Sequence, residues 1–133
     1  MAVAAWPLQQ AIITRLRADP ALTAMCGVYD EAPEPAPYPH ITVGEVIEEP
    51  MDTHDAQGLS VAFVLHIWSK YRGYAEAGQV LAHVDRLLDR QPLSVQGFEV
   101  ISIFREHHRM LRDPDPTIRH CPVRYRVWLS KET

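Results

Sequence analysis

Residues 59–70, Leu-Ser-Val-Ala-Phe-Val-Leu-His-Ile-Trp-Ser-Lys, constrain the fold more than any other stretch of the chain. Leu59, Val61, Phe63, Leu65 and Ile67 occupy every second position, which in a strand sends all five to one face. Ser60, Ala62, Val64, His66 and Trp68 fall on the other face. That mixed set predicts a central strand, covered on one side and partly covered on the other. After Gly73 the period changes. Ala77, Val80, Leu81, Val84, Leu87 and Leu88 follow the i, i+3, i+4 spacing of a helix buried along one stripe. A strand feeding a helix that lies back on its sheet is therefore the organising unit.

The remaining segments add to that unit. Residues 5–18 predict a first helix, with Pro7 early, where a missing N–H removes no intrahelical bond, and Leu8, Ile12 and Leu16 on one stripe. Asp19-Pro20 ends it, because the residue before proline is pushed out of the helical region. Residues 21–26 predict a short extra turn, with Gly27 stopping it in the left-handed conformation, and Val28-Tyr29-Asp30 a short strand. Pro33, Pro35, Pro37 and Pro39 make residues 31–39 an extended, stiff connector. Residues 40–48 read as a strand that bulges or bends at Gly44, and residues 49–58 as a polar arm between two long strands. The second helix runs to about Arg90-Gln91, with Pro92 beyond it. Residues 97–110 predict another strand, and Arg112-Asp113-Pro114-Asp115-Pro116 a turn. In the last strand Cys121, Val123, Tyr125, Val127 and Leu129 alternate with Pro122, Arg124, Arg126, Trp128 and Ser130. The order α-β-β-β-α-β-β implies an α+β domain, a mostly antiparallel sheet with two helices on one face, spanning residues 1–133 as one domain.

Charge and cysteine usage narrow the function classes. A formal charge of −4 argues against a dedicated nucleic-acid binder, which carries a basic excess. The apolar runs are far too short for a membrane span, and the first residues lack the early Lys or Arg of a secretory signal, so a cytoplasmic protein is expected. Cys26 and Cys121 sit in no CxxC motif and read as reduced, buried small side chains.

Reactive chemistry finds little support. His107 and His108 are neighbours on a strand and face opposite sides. His40, His54, His66, His83 and His120 are scattered over different segments without metal-ligand spacing. The acidic run Glu45, Glu48, Glu49, Asp52 and Asp55 lacks the ligand spacing of a calcium loop. Cys121 beside His120 points away from it, so a thiol nucleophile lacks a base. Trp68, Tyr71 and Tyr74, at a strand–helix junction, read as core. No GxSxG, P-loop or GxGxxG is present. The expectation is no catalytic, cofactor or metal site.

Several segments in order carry a resemblance. Leu22-Thr23-Ala24-Met25-Cys26-Gly27-Val28-Tyr29-Asp30 leads through the prolines into Tyr38-Pro39-His40-Ile41-Thr42-Val43-Gly44. The polar arm, Val64-Leu65-His66-Ile67-Trp68-Ser69, the helix start at Gly73 and Met110-Leu111-Arg112-Asp113-Pro114-Asp115 follow. Together they resemble the tail completion, or tail terminator, proteins of long-tailed phages, prophages and gene transfer agents. The resemblance implies a non-enzymatic virion protein related in fold to tail-tube proteins. It implies a homohexameric ring that caps the head-proximal end of the tail tube, stops polymerisation and meets the head–tail connector or neck protein. DNA would pass through the lumen without specific binding, and the subunit would be cytoplasmic until it joins the particle.

The residues add candidates to that picture. Met51, Asp52, Thr53, His54, Asp55 and Gln57, with Arg112, Asp113 and Asp115, are candidate contacts between subunits or with the tube. Glu45, Glu48 and Glu49 are candidate acidic lumen residues, because a basic lining would hold DNA by counterion release. The alternatives are a head–tail connector or neck ring protein, a small histidine–carboxylate enzyme using His54 or His107, and a monomeric adaptor binding peptides by strand addition.

Overall fold

The computed structural model describes residues 3–54 and 57–132. The elements are α1 (Ala5–Arg17), α2 (Pro20–Thr23), β1 (Gly27–Tyr29), β2 (His40–Pro50), β3 (Gly58–Ser69), α3 (Ala75–Leu88), β4 (Phe98–His108), β5 (Leu111–Arg112) and β6 (Arg119–Lys131). The sheet runs β1-β2-β3-β6-β4, with β5 extending along β6 beyond the end of β4. All pairings are antiparallel except β1 with β2. The α+β class, the sheet with helices on one face and the predicted order all hold, with α2 and β5 as small additions.

β3 and β6 form the spine, paired without a break from Gly58 opposite Ser130 to Ser69 opposite Arg119. Register places Val61, Phe63, Leu65 and Ile67 beside Val127, Tyr125, Val123 and Cys121, and all eight are buried. Leu8, Ile12, Ile13 and Leu16 of α1 and Ala77, Val80, Val84 and Leu88 of α3 close over this face. Each fully buried aliphatic side chain contributes about 1.5–3 kcal/mol, so the shared face of these elements dominates stability.

Polar bonds tie the helix ends to the sheet. Arg17 donates from Nε and Nη2 to the Val28 carbonyl at 3.0 and 2.8 Å, and Arg15 donates to the carbonyls of Leu87 and Pro92. Asp19 does more than stop α1. Its carboxylate accepts the Leu22 N–H, capping α2, and pairs with Arg86 of α3 at 2.7 Å.

Four local expectations change. Gly27 does not cap a helix; it is the first residue of β1, opposite His40, and the Tyr29 ring fills the space a Cβ would need. The proline segment is not a straight spacer. β1 and β2 are parallel neighbours, so residues 30–39 must return to the starting end and bend repeatedly. Glu49 and Pro50 belong to β2, opposite Ser60 and Leu59, so the polar arm begins at Met51. Trp68, Tyr71 and Tyr74 are not core; Trp68 lies half-buried on the face opposite the helices, and both tyrosines are exposed. The irregularity expected at Gly44 is present as a register shift between Val43 and Val46. A Cβ at Gly44 would collide with the His66 ring, which explains the glycine.

Tyr125 is the largest fully buried side chain. Burial and the Asp85 carboxylate raise its phenol pKa, so it stays protonated and donates to Asp85 Oδ1 at 3.0 Å. Its ring meets Phe63 edge-on at 5.5 Å. Replacing Tyr125 with Phe should cost about 1 kcal/mol in urea unfolding, because Asp85 keeps Arg105 at 3.7 Å. Tyr125→Ala should cost about 3–5 kcal/mol. Equal losses for the two variants would mean that the ring's packing is unimportant.

Candidate functional site

The two segments singled out as contacts lie at opposite poles of the β3–β6 spine. Twelve residue pairs separate them, which at strand rise is roughly 36 Å. At the first pole the arm leaves β2 at Met51 and returns at Gly58. The Met51 N–H donates to the Gly58 carbonyl at 2.8 Å and the Gly58 N–H to Asp52 Oδ1 at 3.2 Å. The Lys131 N–H donates to the Gln57 carbonyl at 3.0 Å, fixing the arm to β6. Gly58 must be glycine, since a Cβ there would strike the Met51 carbonyl oxygen. Met51, Asp52, Thr53, His54 and Gln57 are exposed around this neck, and Asp55 lies outside the described residues.

At the second pole, Arg112 pairs with Arg119 across β5 and β6, and the turn beyond it satisfies itself. Asp113 Oδ2 accepts the Asp115 N–H, and Asp115 Oδ1 accepts both the N–H and the hydroxyl of Thr117. Those bonds lower the Asp115 pKa. Both carboxylates therefore rigidify the turn. Beside it Lys70 sits over the Tyr38 ring at 4.8 Å, Arg119 lies 5.9 Å from the Tyr74 ring, and Tyr71 is exposed.

The proposed acidic lumen residues separate by face. Glu45 and Glu49 are exposed, whereas Glu48 turns toward the helices and accepts the Ala4 N–H at 2.8 Å. That bond satisfies a backbone donor at the start of α1.

The face of the sheet away from the helices carries a polar network that sequence reading missed. Trp68 and His120, opposite each other on β3 and β6, stack at 3.9 Å and 4°. The Trp68 indole N–H donates to Thr42 Oγ1 at 3.1 Å. His66 Nδ1 lies 2.6 Å from His120 Nε2. Further along, Glu106 receives Arg124 at 2.8 Å and Arg126 at 2.9 Å, and Arg126 also donates to Ser60. Arg126, then Arg124, draws the Glu106 pKa down. His66 and His120 looked unrelated because they are far apart in sequence and sit on different strands. Only the β3–β6 register brings His66 and His120 together.

Burial raises the Cys26 and Cys121 thiols to about 12 and about 11, leaving little thiolate. Cys121 faces the core while His120 faces outward. His54 and His107, the candidates for a histidine–carboxylate site, are exposed. Among the described residues no group of three or more His, Cys, Asp or Glu is placed to hold a metal ion.

The fold is one found in virus-like particles. Over 98% of this chain and 99% of the other, the structure matches a chain from the virion of a native gene transfer agent (GTA) particle, with a TM-score of 0.88 and 22% identity. A comparison with curated proteins finds no match. Residues 10–130 match the family of tail completion protein gp17, and the chain belongs to that family. The resemblance carried by the sequence segments is thereby confirmed at family level.

Burial lowers the pKa of both His66 and His120, the latter from 6.5 to about 4, with the neighbouring His66 adding to the effect. The unfolded chain therefore binds more protons than the folded one between these values. Stability should be fully present above about pH 6.5 and fall as the pH drops toward about 4. A His66→Gln, His120→Gln double variant should show a flatter fall in melting temperature across that window. An identical profile would assign the acid sensitivity to other groups.

Proposed function

We propose that this chain is a non-enzymatic structural subunit that forms a homohexameric ring at the head-proximal end of a tail tube. In this role it stops tube growth and joins the tail to the head–tail connector, with DNA passing through the lumen. The observation that carries the reading is the separation of its contact surfaces. The arm at residues 51–57 and the turn at residues 112–118 stand at opposite poles, as a subunit needs when it meets one partner above and another below.

Lateral contacts have their own surfaces. β1 covers only His40 to Thr42 of β2, so the rest of that strand forms an open edge. The other edge is β4, where Ile101 is 63% exposed. Asp89 and Arg90 occupy part of it, with the Arg90 N–H on the Ile103 carbonyl and the Arg105 N–H on Asp89 Oδ1. Two different edges suit a head-to-tail contact, the kind that closes into rings. Glu45 and Glu49 on β2 are our candidates for an acidic channel lining; Glu48 is already engaged with Ala4. Assembly would take place in the cytoplasm before the subunit enters the particle.

Replacing residues 52–57 with an Asn-Gly turn should keep the monomer folded, because Met51 and Gly58 already close the neck. Particles made with this variant should carry tails of uncontrolled length, or tails unable to join heads. Normal tails of normal length would remove the arm from the interface.

A further inference from the structure

We propose that His66 and His120 form an open, two-imidazole site for a divalent transition ion of the zinc, nickel and copper class, on the helix-free face of the sheet. The inference does not depend on the ring. It starts from two ring nitrogens, His66 Nδ1 and His120 Nε2, aimed at each other at 2.6 Å from adjacent strands. That separation is short even for a hydrogen bond, whose heavy atoms usually stand about 2.9–3.0 Å apart. Two bare lone pairs would repel there, so a proton or a cation must lie between them. An ion bound at about 2.0–2.1 Å from each nitrogen needs them about 2.9 Å apart at a right angle and about 3.3 Å apart at a tetrahedral one, so the two rings must separate from their present 2.6 Å to admit it.

The surroundings orient both rings. His120 is pinned by the parallel Trp68 indole, which is anchored by its N–H bond to Thr42. The absence of a side chain at Gly44 gives His66 its place. Such outer partners set the direction of a ligating imidazole as much as its own backbone does. The Asp113 carboxylate acts favourably on a positive charge at His120, and Arg109 acts against it. With two side-chain donors, water or a group from another protein would complete the coordination, which makes the ion exchangeable. An ion there would bridge β3 and β6 near the second pole.

The test uses the full chain stripped with chelator and titrated with Zn2+, with Cu2+ as the spectroscopic probe. Calorimetry should find one ion per chain. Cu2+ should quench tryptophan emission, since Trp68 stacks on a ligand, and its electron spin resonance should show coupling to two nitrogens. His66→Gln and His120→Gln should each weaken binding by at least the roughly 10–100-fold seen when an outer partner is lost. His107→Gln with His108→Gln should leave it unchanged. Nitrogen NMR of the wild type reads the same point without a variant: His66 Nδ1 and His120 Nε2 should shift on adding Zn2+. Shifts at His54, His107 or His108 instead, or binding that survives loss of His66, would overturn the site, as would the absence of saturable binding.

Discussion

The unbroken pairing of β3 with β6 is the constraint on which the rest of the structure depends. A strand's side chains alternate, so fixing this one register decides the content of both faces at once. One face gathers Val61, Phe63, Leu65, Ile67, Cys121, Val123, Tyr125 and Val127 into the floor on which α1 and α3 pack. The other carries two polar clusters, Thr42 with Trp68, His66 and His120, and Glu106 with Arg124 and Arg126, with Val64 and Pro122 between them. A slip by one residue would bury these clusters and expose the floor. The same spine sets the separation of the two poles.

The buried thiols are held protonated, the turn carboxylates are spent on their own backbone, and Glu48 is committed to the start of α1. The arm, the opposite turn and the two dissimilar edges remain as places where other chains can attach. In the ring we propose, the arm and the turn would serve contacts along the tail axis and the two edges contacts around it.

Much of the fold was legible because it is written in local period. The alternation of Leu59 to Ile67 and of Cys121 to Leu129, the helical stripe from Ala77 to Leu88 and the proline stop after Asp19 each need only near neighbours in sequence. What local pattern cannot carry is which strand lies beside which. The meeting of His66 with His120, and of Arg124 and Arg126 with Glu106, depends on register and on the bulge between Arg105 and His107. The parallel pairing of β1 with β2 hid for the same reason, and it turned an apparent proline spacer into a returning loop. Gly44 could be read as an irregularity from sequence, and Gly58 only as the end of the polar arm. The atoms that forbid a side chain there, the His66 ring and the Met51 carbonyl, belong to distant or folded-back segments. The acidic run from Glu45 to Asp52 looked like one surface, yet the pleat sends Glu48 to the helix side.

The most direct test is electron microscopy of purified tail tubes mixed with the purified chain. The account predicts a ring of six subunits seated on one end of each tube, with an open centre. Tubes whose ends stay bare, or that are decorated along their length, would contradict it.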